Sequence, residues 1–304
     1  MCGLFGVYNY SKEKISGLSV LTNKLAQEAA ERGVDATGIS YNCNANLVIH
    51  KEPKSAFQMK FKHPDNTVAV MGHTRHSTHG SEKDNYNNHP FMGKCKNLKF
   101  TLAHNGIISN YSDLREKYKI QKTKIETDSY IAVQMIENKD VFCDDSIKFM
   151  AENIHGSFSF TILTEENELY FIKGDSPIKI VHFPKYSLYV YASTDKILYK
   201  AIIETSLFEE LKKGNYEEIE ISEGDILKIS PDGTISKDIF EFVDYSAYGI
   251  YDWRSYGDGY YYDNDDYLTD LKDISRYYGY EPEDIDNFIR EGFTLEEIEE
   301  YICS

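Results

Sequence analysis

The strongest constraint on this chain's fold is a series of short apolar or alternating runs: Leu47–Ile49, Val68–Met71, Phe100–Ala103, Phe158–Leu163, Leu169–Ile172, Ile178–His182, Leu188–Ala192 and Ile226–Ile229. Several follow one another with turn signals such as Pro231-Asp232-Gly233 between them. With so few helices interposed, the pattern favours antiparallel pairing over a doubly wound parallel sheet. Helical spacing appears at Leu18, Leu21, Leu25 and Ala29, with Gly33 read as a C-terminal cap. Asp128 or Ser129 is placed to cap a helix carrying Ile131, Val133, Met135 and Ile136, and a further helix runs from about Ser146 to Asn153. The class is α+β, with layered antiparallel sheets and helices outside.

The 304 residues are 41% hydrophobic and 27% charged, a globular composition long enough for one large domain or two ordinary ones. A net charge of −17 argues against nucleic-acid or membrane partners, since polyanions repel such a chain. No run approaches the roughly 18 apolar residues of a membrane span. The N-terminus turns polar by Asn9, before a signal-peptide core can form. Cys2, Cys43, Cys95, Cys143 and Cys303 are odd in number, widely spaced and without a CxxC, which reads as free thiols in a reducing, cytoplasmic compartment. The charge is uneven: residues 245–304 hold 16 acidic and 4 basic residues, net −12, and 12 of the 25 tyrosines, leaving net −5 on the rest. The expected organisation is a main domain over 2–243, a Tyr/Asp-rich linker over 244–267 and a small acidic helical module over 268–304. In that module Leu268–Tyr278, Glu283–Ile289 and Leu295–Ile302 have helical spacing, and Thr294-x-x-Glu297 fits a capping box.

Four segments carry chemistry. Cys2, once Met1 is removed, holds a thiol beside an α-amine whose pKa is close to its own, so that one residue supplies nucleophile and base; an incidental second-position cysteine is the plain alternative. Gly72-His73-Thr74-Arg75-His76-Ser77-Thr78-His79-Gly80 reads as a strand-end loop whose Arg75 presents a donor fork suited to a carboxylate. A metal set of His73, His76 and His79 is disfavoured, because three-residue spacing on an extended loop does not share a face and the chain lacks zinc-like ligand spacing. His104-Asn105-Gly106 offers a side-chain amide and a backbone N–H for an oxyanion, or simply a turn. In Glu126-Thr127-Asp128-Ser129, Asp128 can accept from an ammonium group, cap a helix, or do both.

Taken in order, Cys2-Gly3-…-Gly6, Arg32-Gly33 through Gly38, Gly72-His73-Thr74-Arg75, His104-Asn105-Gly106 and Thr127-Asp128 resemble the class II (N-terminal nucleophile) glutamine amidotransferase domain. The likeness is greatest to the glutaminase domain of glucosamine-6-phosphate synthase, with its GHTRWATHG, HNGII and ETD patterns, and runs from Cys2 to about Ile239. The resemblance implies an αββα four-layer sandwich, with the acidic, mostly helical segment appended. It implies that Cys2 attacks the side-chain amide of L-glutamine, its amine shuttling the proton, while Asn105 and Gly106 hold the oxyanion. Arg75, aided by Thr78, would bind the α-carboxylate and Asp128 the α-ammonium, with Arg32 and Gly33 near the nucleophile. No cofactor or metal is implied. His76 stands where the family has Trp, and the synthase's isomerase domains have no counterpart here. The expected arrangement is therefore a glutaminase that feeds ammonia to a separate synthetase or transferase subunit, docked through the acidic tail. Two other readings stand beside it: an N-terminal cysteine amidohydrolase acting on another γ-glutamyl or amide bond, and a non-catalytic module that recruits a partner.

Overall fold

The computed structural model describes residues 2–11, 14–43, 46–203, 205–243 and 280–290, and singly Leu268, Lys272, Ser275, Phe293, Leu295, Ile298, Tyr301 and Ile302. The Tyr/Asp-rich run 244–267 and the capping-box pair Thr294 and Glu297 lie outside the described residues, as do Met1 and Cys303. The chain forms two compact units, Met1–Tyr245 and Ser246–Ser304.

In the first unit, one seven-stranded sheet contains β1 (Gly3–Asn9), β2 (Ala36–Cys43), β3 (Asn46–Glu52), β4 (Ala69–Arg75), β9 (Lys179–Phe183), β10 (Leu188–Ala192) and β11 (Glu217–Ile219). A six-stranded sheet contains β5 (Phe91–Lys94), β6 (Lys99–Ile108), β7 (Gly156–Thr164), β8 (Leu169–Lys173), β12 (Asp225–Ile229) and β13 (Ile235–Ile239). Their strand orders are β11-β9-β10-β1-β4-β2-β3 and β13-β12-β8-β7-β6-β5, antiparallel throughout. The helices are α1 (Leu18–Ala29), α2 (Tyr111–Lys117), α3 (Tyr130–Glu137), α4 (Asp144–Asn153), α5 (Asp195–Ile203) and α6 (Leu207–Lys212).

Side-chain alternation sorts these elements into four layers. Along β1, Phe5 and Val7 pack with Leu21 and Leu25 of α1 and Ile197 of α5, whereas Leu4 and Tyr8 face a core shared with Leu163, Phe171 and Leu227 of the other sheet. Along β7, Phe158, Phe160 and Ile162 turn the other way, against Ile131 and Met135 of α3 and Ile147 of α4. Both sheets are thus covered on both faces, which is why their central strands read as near-continuous apolar runs. Phe171 and Tyr191 meet edge to face across the sheets with centroids 4.8 Å apart. Together this is the αββα sandwich expected from the sequence.

Local readings needed correction. Gly33 is the C-cap, though not of α1 directly: α1 passes into a 3-10 turn over Ala30–Arg32, and Gly33 ends that turn in an extended conformation at φ −176°. Ser129 is the N-cap residue of α3, but neither it nor Asp128 makes a side-chain cap bond, because both side chains are engaged elsewhere. Helix α4 starts at Asp144, two residues before the expected Ser146.

In the second unit, helix α7 (Pro282–Arg290) places Ile285 in a small cluster with Ile298 and Ile302, flanked by Leu268, Tyr280, Phe288 and Leu295.

Candidate active site

The chemistry gathers where β1 begins and β4 ends. Gly3 pairs with Thr74, so Cys2, one residue before β1, comes alongside Arg75 at the last position of β4. Two contacts fix this end of the sheet to the end of α1: Thr74 Oγ1 donates to the Ala29 carbonyl at 2.7 Å, and Arg32 Nε donates to the Cys2 carbonyl at 2.8 Å. Arg32 therefore holds the backbone of Cys2. Gly33 lies against the same strand end, where an added Cβ would stand 2.4 Å from the Arg75 carbonyl carbon. Close approach, rather than backbone handedness, is what requires glycine there.

The Cys2 thiol is half-buried and donates to the His76 carbonyl at 3.6 Å. Burial pushes its pKa up; Arg75 pulls it down, and Asp128 pushes it up. Cys2, Arg75 and Asp128 thus share one electrostatic site. The net shift is upward, towards the neutral thiol.

Arg75 is buried, with 3% of its surface exposed. Its Nη1 donates to Asn88 Oδ1 at 2.7 Å, and its Nη2 donates to the carbonyls of His79 and Gly80 at 2.6 and 2.7 Å. The strand runs through Arg75, so the loop expected from Gly72 onward begins only at His76. Arg75 pulls that loop back on itself, leaving Thr78 exposed. Ser77 N–H donates to Asp35 Oδ2 at 2.7 Å at the other side of the loop. His73 is buried inside while His76 and His79 are exposed, so the three histidines do not converge. Among the described residues no cluster of His, Cys, Asp and Glu could hold a metal ion.

The second sheet supplies the facing wall. His73 Nε2 lies 2.9 Å from the His104 carbonyl, joining β4 to β6 directly beside Asn105. Asn105 and Gly106 lie within β6, paired with Ser159 and Phe158, so this Asn-Gly is no turn. Asn105 is 1% exposed, and its Nδ2 has no hydrogen-bond partner. Gly106 sits at φ +135°, and an added Cβ would fall 1.9 Å from the Ser157 carbonyl oxygen. Asp128 Oδ2 accepts from the Ile108 N–H at 2.7 Å, and Ser129 Oγ meets His104 Nδ1 at 2.8 Å. These bonds bring the Thr127–Ser129 segment onto the end of β6.

Sequence reasoning missed Asn88 and His89. Both are buried; the His89 ring stacks on His73 with centroids 4.1 Å apart. A polar run, Asn85-Tyr86-Asn87-Asn88-His89-Pro90, gave no periodic signal; only its density of amides marked it.

The four-layer sandwich recurs in known proteins. Two solved structures share it: glutamine phosphoribosylpyrophosphate amidotransferase from B. subtilis, at a TM-score of 0.62, 21% identity, 80% of this chain and 50% of that one, and an allosteric regulatory enzyme of purine biosynthesis, at 0.61, 22%, 80% and 50%. Residues 73–200 match the family described as the glutamine amidotransferase domain. It is similar to glutamine–fructose-6-phosphate aminotransferase (isomerizing) of Staphylococcus aureus, 30% identical over 188 residues, and to that of Bacillus thuringiensis subsp. konkukian, 29% identical over 188. The match takes in 59% of this chain and spans 30% of the length of each of those relatives. Among the described residues no helix is long and apolar enough to cross a membrane.

Proposed function

We propose that this chain hydrolyses the side-chain amide of L-glutamine through Cys2. Removal of Met1 gives Cys2 a free α-amine, which takes the thiol proton as sulfur attacks the amide carbon. The tetrahedral oxyanion forms within reach of Asn105 Nδ2 and the Gly106 N–H. The amine returns its proton to the departing nitrogen, ammonia leaves, and a γ-glutamyl thioester remains on Cys2. Water attacks the thioester, its proton passes through the same amine to sulfur, and glutamate is released. Arg75, with Thr78 beside it, is set against the substrate carboxylate and Asp128 against its ammonium group, while Arg32 and Gly33 shape the backbone around Cys2.

The observation that carries this reading is Asn105 Nδ2: a donor in a 1%-exposed side chain with no partner among the described residues, one residue from the His104 carbonyl that meets His73 of β4. Leaving such a donor unmade costs about 1–3 kcal/mol, a cost that an oxyanion repays in the transition state. Intact-mass spectrometry tests the covalent chemistry. Purified protein is expected to lack Met1 and, acid-quenched during turnover, to carry a glutamyl adduct on Cys2. Retained Met1, or an adduct on another residue, contradicts the mechanism.

We further propose that the ammonia is consumed on a separate synthetase or transferase. Free ammonia is mostly protonated near neutral pH and lost by diffusion, so an adjoining acceptor is needed. The net −12 of residues 245–304 suits docking to a basic surface. A cytoplasmic setting is supported by the free thiols of Cys2, Cys43, Cys95 and Cys143.

A further inference from the structure

Arg75 does not hold its own position. Three of its donated hydrogen bonds end on Asn88 Oδ1 and on the His79 and Gly80 carbonyls. The two carbonyls belong to the loop that Arg75 itself folds back, so they move with it. Asn88 is different: it is 0% exposed and anchored from several sides. Its Nδ2 donates to the Glu82 carbonyl at 2.8 Å and to Asn85 Oδ1 at 3.1 Å. Its own carbonyl accepts from Lys51 Nζ, which also donates to the Pro90 carbonyl at 3.0 Å. Lys51 projects from β3, so Asn88 is anchored to the sheet as well as to Glu82 and Asn85 of the loop.

We propose that Asn88 is the positioning residue that aims Arg75 at the glutamine α-carboxylate and so sets the affinity for substrate. This rests on the glutaminase reading and deepens it. A guanidinium has five N–H groups in a rigid plane. Fixing one Nη1–H on an immobile amide oxygen sets the tilt of that plane, and with it the direction of the groups left for substrate. The choice of a neutral amide matters. A carboxylate at 88 would still accept from Arg75, but it would neutralise the charge that the substrate needs and give up the two bonds that Nδ2 donates. Asn88 touches neither the reacting carbon nor the thiol, so its effect falls on binding rather than on the chemical step.

The test compares N88A and N88D with the parent full chain, using L-glutamine and 4-aminobutyramide, which is glutamine without its α-carboxylate. N88A is expected to raise KM for glutamine about tenfold, with kcat changed by less than about threefold. With 4-aminobutyramide, kcat/KM is expected to be the same in parent and variant, because no carboxylate is present for Arg75 to meet. A merely structural loss would lower turnover of both substrates alike and overturn the proposal. Where N88A does not fold, the near-isosteric N88D decides: it is expected to raise KM for glutamine further than tenfold while leaving 4-aminobutyramide unaffected. An active parent whose KM for glutamine is unmoved in both variants overturns the role of Asn88 alone. A parent that releases no glutamate overturns the glutaminase reading and this proposal with it.

Discussion

At the scale of single residues, the site pairs groups kept neutral with groups kept charged. His73, His89 and His104 are buried beside Arg75, and burial is the main cause of depressed pKa in all three, with His73 pushed down to about 3. Neighbouring cations, Arg75 and Lys51, press His73 and His89 further down, whereas Asp128 opposes the shift at His104. Lys51 is itself lowered to about 8, chiefly by burial and then by Arg75. The sign follows from linkage: these histidines are neutral in the fold but take protons near pH 6.5 when unfolded. Their contribution to stability is therefore complete above about pH 6.5 and lost as the pH falls from there, for His73 down to its folded value of about 3. Each steepens the loss by up to about 1.4 kcal/mol per pH unit. Urea midpoints measured at pH 7.5 and 5.5 are expected to fall on acidification, and to fall less in H89F, since neither ring nitrogen of His89 has a partner to lose. An identical pH dependence in H89F contradicts this. Cys2, Arg75, Asn105, Gly106 and Asp128 were legible in the sequence because each sits in a short motif with its own chemistry. Asn88 was not, because its meaning depends on a loop returning to a strand end 13 residues away.

At the scale of elements, β4 and β6 carry the site: Arg75 is the last residue of β4, and Asn105 and Gly106 lie in the second half of β6. Gly106 shows how tightly β6 is built there. A side chain at φ +135° and 1.9 Å from the Ser157 carbonyl forces β6 and β7 apart. G106A is expected to destabilise the protein by about 2 kcal/mol or more and to abolish glutamate release; a melting temperature equal to the parent's contradicts that account. All eight runs read as strands proved to be strands, since two covered faces leave an uninterrupted apolar signature. Strands β5, β11 and β13 escaped notice, and so did β1 and β2. Their glycines and polar residues, Gly3, Gly6, Gly38 and Asn42, mimic loop sequence, and they are strands because neighbours on both sides pair with them. The N-cap position of α3 was legible but its bonding was not: the side chains of Asp128 and Ser129 bond across to β6 rather than to their own helix, a tertiary demand that local sequence does not express.

At the scale of the whole molecule, the acidity and the chemistry belong to different parts of the chain. The unit Met1–Tyr245 contains all three large cores of the sandwich and every residue of the candidate site. The unit Ser246–Ser304 has its own small cluster around Ile285, Ile298 and Ile302. A chain ending at Tyr245 is therefore expected to hydrolyse glutamine at the rate of the full chain, and to lose salt-sensitive binding to the acceptor enzyme; collapse of the basal rate would place the tail within the site. The central claim is that one sulfur does the chemistry, and its most direct measurement is glutamate release from L-glutamine by the full chain before and after Cys2→Ala. The prediction is release by the parent and none above the uncatalysed background in C2A, with the fold preserved by circular dichroism. Release that continues at the parent rate in C2A would contradict it.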